Sequence, residues 1–131
     1  MLSIPKPLVD DIFDHALNGL PEEICGYLAG TGREVTRVFR MTNIDHSPEH
    51  FSFDPAEQFQ VLRAARKEGL EILANYHSHP ETPARPSEED IRLAFDPNIS
   101  YVIVSLADKL PDIKSFRIKD GKVEKEEIRI V

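Results

Sequence analysis

The chain has 131 residues, 40% hydrophobic and 30% charged, a balance that suits one soluble globular domain over residues 1–131 and leaves too little chain for two cores. Its net charge of −7 argues against nucleic acid as a partner, because phosphate binding needs a basic surface and the only Lys-rich stretch, Lys119 to Lys125, is interrupted by acids. The single cysteine, Cys25, excludes both an intramolecular disulfide and a Cys-rich zinc site.

The N-terminal residues Met1 to Pro7 lack the apolar core of a signal peptide, and no run nears the roughly 20 apolar residues of a membrane span. A cytoplasmic location without membrane contact is the simplest expectation. Leu8, Val9, Ile12, Phe13, Ala16 and Leu17 then recur at helical spacing, and Asn18-Gly19 ends the pattern. Ile24 to Ala29 and Val35 to Met41 read as strands joined at Gly30-Thr31-Gly32. Asn43 to Phe53 is polar and irregular, the longest candidate loop. Asp54 as N-cap and Pro55 at the first helical position open a second helix, expected to turn Phe59, Leu62 and Ala65 inward and to stop at Gly69.

Leu70 to Tyr76 reads as a strand leading into His77-Ser78-His79-Pro80, and after the proline-stiffened loop a third helix is expected from Ser87 to about Phe95. Ile99 to Leu106 is nearly continuous apolar sequence rich in β-branched residues, the signature of a strand buried on both faces. Ile113 to Lys119 and Lys122 to Val131 flank Asp120-Gly121, a hairpin signal. The predicted order αββαβαβββ describes an α/β fold, a single mixed sheet packed with helices, without repeats or linkers.

The chemistry concentrates around the third strand. Side chains two apart on a strand share a face, so His77 and His79 can point at one ion. Ser87 stands where an N-cap belongs, and Asp90 closes the first turn, close to the helix's positive end, where a carboxylate stays ionised. Two imidazoles and one carboxylate leave a tetrahedral zinc with one position open to water, the arrangement of a catalytic rather than a structural site. A glutamate in Pro21-Glu22-Glu23-Ile24-Cys25-Gly26 would supply a general base, and only one of the adjacent pair can face the ion from a strand.

Each piece also has a plainer reading. His-x-His alone could be two exposed strand histidines, and Ser87-x-x-Asp90 alone could be only a helix cap. Their joint appearance favours a metal site. Pro80-Glu81 stands where a metallo-β-lactamase-type site wants an Asp-His pair, Pro83 and Ala84 where a cupin wants glutamate. One cysteine rules out a zinc deaminase, and an amidohydrolase barrel needs about twice the length. Cys25 reads as a small apolar strand residue, and His15, His46 and His50 carry no metal-ligand pattern, though the latter two lie in the long loop. Tyr76, preceding the first ligand, should face the opposite side of the sheet, into the core.

The pattern Glu23, His77, His79, Pro80, Ser87 and Asp90, with seven residues between His79 and Ser87, resembles the JAMM (MPN+) zinc peptidases. Pro21 to Gly26, the stretch from Asn43 ending Phe51-Ser52-Phe53-Asp54-Pro55, and Tyr76 to Pro80 resemble the small bacterial JAB-domain branch of that family. The resemblance implies a JAMM/MPN-like fold of cytidine-deaminase-like layout and zinc as cofactor, held by His77, His79 and Asp90. It makes Glu23, two before the cysteine, the general base, leaving Glu22 to solvent, and gives Ser87 the role of hydrogen-bond donor to the tetrahedral intermediate. It also implies a substrate class: the Gly-Gly tail of a sulfur-carrier or ubiquitin-like protein, from whose C-terminus an amino acid such as cysteine is removed. A catalytically silent binding scaffold and a zinc peptidase of short peptides are the alternatives, the first disfavoured by the complete ligand set.

Overall fold

The computed structural model describes residues 1–131. Its elements in chain order are β1 (Leu2–Ile4), α1 (Lys6–Gly19), β2 (Cys25–Thr31), β3 (Glu34–Met41), α2 (Pro55–Lys67), β4 (Glu71–His79), α3 (Glu88–Arg92), β5 (Ser100–Ser105), β6 (Asp112–Lys119), β7 (Lys122–Glu126) and β8 (Ile128–Ile130). The strands form one eight-stranded mixed sheet in the order β7-β6-β5-β4-β2-β3-β1-β8. The expected α/β architecture with a single mixed sheet is the one observed. No helix is long and apolar enough to cross a membrane.

Both faces of the sheet are covered, which is why its central strands read as apolar runs. Against one face α1 lays Val9, Ile12 and Ala16 onto Leu28, Val38, Tyr76, Val102 and Val104. Against the other, α2 packs Val61 and Ala65 onto Cys25, Tyr27, Ala29, Phe39 and Met41. A third cluster joins Ala84 to Tyr101, Ile103, Phe116 and Ile118. All six residues of β5 are buried, as its β-branched sequence predicts.

Two glycines are fixed by geometry. A Cβ on Gly26 would run into the backbone carbonyl of Phe39 and the ring of Tyr76, so the Tyr76 side chain reaches the α1 core only by crossing a bare position on β2. Asp120 and Gly121, with φ of 52° and 75°, form the left-handed turn between β6 and β7 that their sequence signals.

Four expectations are corrected. β1 carries no strand signal in the sequence; it is only three residues long, and its partners lie far off along the chain, Ser3 opposite Glu34 on β3 and Leu2 to Ile4 opposite Ile128 to Ile130 on β8. The expected final strand is broken at Glu127: β7 pairs with β6 at one end of the sheet and β8 with β1 at the other. The chain therefore passes from the first to the last position of the sheet through one residue, which requires a sheet curled until its two ends meet. On α2, Phe59 is 61% and Leu62 42% exposed, and only Ala65 of the expected trio is buried. The face that meets the sheet is Val61 with the small Ala64 and Ala65, which allow close approach. Finally, α3 is five residues long and ends with Leu93 as C-cap, leaving Phe95 82% exposed.

Candidate metal centre

β4 presents His77 and His79 on one sheet face, with α3 delivering Asp90 from above. His77 Nε2 lies 3.2 Å from His79 Nε2 and 3.2 Å from Asp90 Oδ2, and His79 Nε2 lies 3.1 Å from Asp90 Oδ2. Three donor atoms around a tetrahedral zinc, each about 2.0–2.1 Å from the ion, stand roughly 3.3 Å apart, so the triangle has the right size. His79 Nδ1 lies 2.9 Å from the Pro83 carbonyl and, carrying its proton, donates to it. That tautomer turns the Nε2 lone pair toward the other two donors. Two imidazole nitrogens facing each other this closely beside a carboxylate call for a cation between them, and these residues fit one.

The charge balance agrees. Burial would raise the Asp90 carboxyl, but its contacts with His77 and His79 outweigh that and hold it well below the usual carboxylate range. Burial opposes protonation of His79, yet Asp90 raises its pKa overall, so the point between them attracts positive charge. Asp90 Oδ2 also accepts from the Ser87 backbone N–H at 3.0 Å, while Ser87 Oγ accepts from the Asp90 N–H at 3.0 Å, a complete capping box that fixes the carboxylate. The cap uses a lone pair of the Ser87 hydroxyl and leaves its proton free to be donated elsewhere.

Glu23 sits just before β2, 4% exposed, with Oε1 buried and unpartnered. Burial pushes its carboxyl up to about 8, with Asp90 adding to the rise and His79 opposing it. A divalent cation at the three donors would draw it back down. Glu22, by contrast, points outward and meets His46 at 3.2 Å.

Three neighbours with no chemical signature in the sequence shape the site. Asn43 donates through Nδ2 to the Glu23 carbonyl and to the His50 carbonyl, each at 3.0 Å, and its Oδ1 accepts from the backbone of Asp45 and Ser52. It thus ties the 43–53 loop to the segment bearing Glu23. Phe51 stacks on the His77 ring at 4.6 Å and 25°, and Asn75, one turn of the pleat before His77, holds a buried, unpartnered Oδ1. The apolar alternation Phe51-Ser52-Phe53 is the one hint the sequence carries of the Phe51 contact.

The remaining candidates fall away from the chemistry. Cys25 is buried, and burial pushes its thiol up to about 12, which suits packing. Tyr76 is fully buried on the α1 side, where its hydroxyl pairs with His15 Nδ1 at 2.8 Å. His50 meets Asp45 at 3.0 Å on the surface.

Comparison with known proteins gives a consistent result. The family model for prokaryotic homologues of the JAB domain matches residues 5–119. The CysO-cysteine peptidase of Mycobacterium tuberculosis is 37% identical over 134 residues, covering 100% of this chain and 92% of that protein. A probable TtuB-protein conjugate cleaving protease of Thermus thermophilus is 41% identical over 123 residues, covering 93% of this chain and 79% of its own. Among solved structures, a protein from Desulfitobacterium hafniense superposes with a TM-score of 0.91 at 48% identity, covering 100% of this chain and 93% of that one.

Proposed function

This chain belongs to the family of prokaryotic homologues of the JAB domain, and we propose that it is a zinc-dependent peptidase, one JAMM-type domain over residues 1–131. In this reading it removes a C-terminal amino acid, such as cysteine, from the Gly-Gly tail of a sulfur-carrier or ubiquitin-like protein. The observation that carries the proposal is the convergence of His77 Nε2, His79 Nε2 and Asp90 Oδ2 within 3.2 Å of one another. The names of the relatives, a CysO-cysteine peptidase and a TtuB-conjugate protease, support the substrate class.

His77, His79 and Asp90 would hold the metal, and zinc bound there supplies a Lewis acid that makes water nucleophilic near neutral pH. Glu23, buried and without a hydrogen-bond partner at Oε1, takes the proton of the attacking water and returns it to the leaving amine. The Ser87 hydroxyl donates to the carbonyl oxygen of the scissile bond as negative charge develops there. The capping box keeps Asp90 and Ser87 in register with each other, so the ligand and the donor move as one unit.

The test is intact-mass analysis of a sulfur carrier bearing one extra C-terminal cysteine, incubated with the zinc-loaded protein and with Glu23→Gln. Trimming is expected from the unmutated protein, with Glu23→Gln slower by on the order of a hundredfold or more yet folded and metal-bound. Full activity in Glu23→Gln removes Glu23 from the base role. His77→Ala and Asp90→Ala are expected to lose the metal; stoichiometric zinc in either, by elemental analysis, refutes the ligand set.

A further inference from the structure

A cavity of about 650 Å³ opens beside His77 and runs over β4 to β6 between α2 and the α3 segment. Its volume falls in the range of roughly 300–1,000 Å³ that preformed small-molecule sites occupy. The floor is Tyr101, Ile103 and Ile118, with Leu62 and Leu93 at the rim, both partly exposed. His77 and Asp90 line the same space, so an occupant abuts the candidate metal centre.

We propose that this cavity is the subsite for the residue released from the carrier, and that it selects a large apolar side chain, leucine, methionine or phenylalanine. The inference rests on the reading of the chain as a peptidase acting after a Gly-Gly tail. The two glycines that precede the bond have no side chains and cannot fill a space of this volume beside His77 and Asp90; the leaving residue can. Cysteine and alanine leave most of it empty. Apart from the candidate ligand Asp90, the charged residues of the lining are Glu89 and Asp96, with no Lys or Arg among them, so an acidic side chain is disfavoured. Asn75 belongs to the same wall, its Oδ1 buried and without a partner. The Tyr27 hydroxyl accepts from Gln58 Nε2 at 2.7 Å, which braces the opposite wall before any ligand arrives.

The test uses carriers ending Gly-Gly-Leu, -Met, -Phe, -Cys, -Ala and -Glu, trimmed by the zinc-loaded protein. The first three are expected to show kcat/KM roughly ten- to a hundredfold above alanine and glutamate, the usual discrimination of an apolar pocket. In a Leu62→Glu/Leu93→Glu variant, changed only at exposed rim positions, the leucine-to-alanine ratio should collapse toward one. A flat series, or one led by cysteine or alanine, overturns the proposal.

A second measurement is independent of turnover. The chain has no tryptophan, so the fluorescence of N-acetyl-tryptophanamide reports only the probe. Titrated with Glu23→Gln, it should shift to the blue saturably, and the shift should vanish when the rim variant is added to Glu23→Gln. If no carrier is trimmed, the peptidase reading fails and the cavity is judged by this shift alone; its absence overturns the apolar subsite as well.

Discussion

Asn43, twenty residues along the chain, helps place Glu23. Its amide spans the Glu23 and His50 carbonyls and accepts two loop N–H groups from a buried position. Asn43→Ala strands two acceptors and two donors, and should cost about 1–3 kcal/mol of stability in urea titration, with a larger proportional loss of activity than of bound zinc. Unchanged kcat would show that the loop does not position the base. The cluster of candidate ligands was legible in the sequence because each sits at a fixed local spacing, two along a strand or three into a helix. Asn43, Phe51 and Asn75 were not, since a generic polar or aromatic residue acquires its role only from a contact far along the chain.

The same division between local and distant holds for elements. Helix α1, the start of α2 and the β6–β7 hairpin follow from caps, prolines and Asp120-Gly121, signals carried by neighbouring residues. The face of α2 differs from its apolar pattern because Leu62 lies at the open cavity and Phe59 on the surface beside Arg63, whereas the sheet takes the slimmer Val61 and Ala65. Strand β2 offers the clearest prediction at this scale. Gly26→Ala would press a methyl group into the Phe39 carbonyl and the Tyr76 ring, forcing β2 from β3 or Tyr76 from its core position. A loss on the order of 3 kcal/mol is expected from thermal or urea denaturation. Because Gly26 lies next to Cys25, which pairs with His77 across the ladder, weaker zinc binding should accompany it.

At the scale of the whole molecule, the junction of the sheet's ends is held by Glu126. Its carboxylate accepts from Ser100 Oγ at 2.6 Å, Ser115 Oγ at 2.7 Å and Arg33 at 2.7 Å, with the N-terminal ammonium 3.8 Å away. Burial would raise its pKa, but the two hydroxyls and these charges outweigh it and hold the carboxyl below the ordinary value of 4.5. The folded state therefore binds this proton less readily than the unfolded chain. Its contribution is fully present above pH 4.5 and is lost as pH falls toward the depressed folded value. Glu126→Gln should flatten the acid limb of the stability curve relative to the unmutated protein; identical limbs would exclude the cluster. At neutral pH the variant should lose about 2 kcal/mol, discounted from a fully buried pair because Arg33 and the terminal ammonium reach solvent.

The pairing of β1 with β8 also sets an order of events during synthesis. Leu2 to Ile4 leave the ribosome more than a hundred residues before the strand they finally lie beside, Ile128 to Ile130. Every residue of the candidate metal centre has emerged by Asp90, before β5 to β8 are made, and even once β6 is out, β1 and β6 still lack their partners β8 and β7. A nascent chain can thus assemble its chemistry on a sheet that has not yet closed, with backbone donors and acceptors open to other chains. Closure is the last step available to it, and a stalled or clipped product ending before Lys122 would carry the site on the form most prone to aggregate.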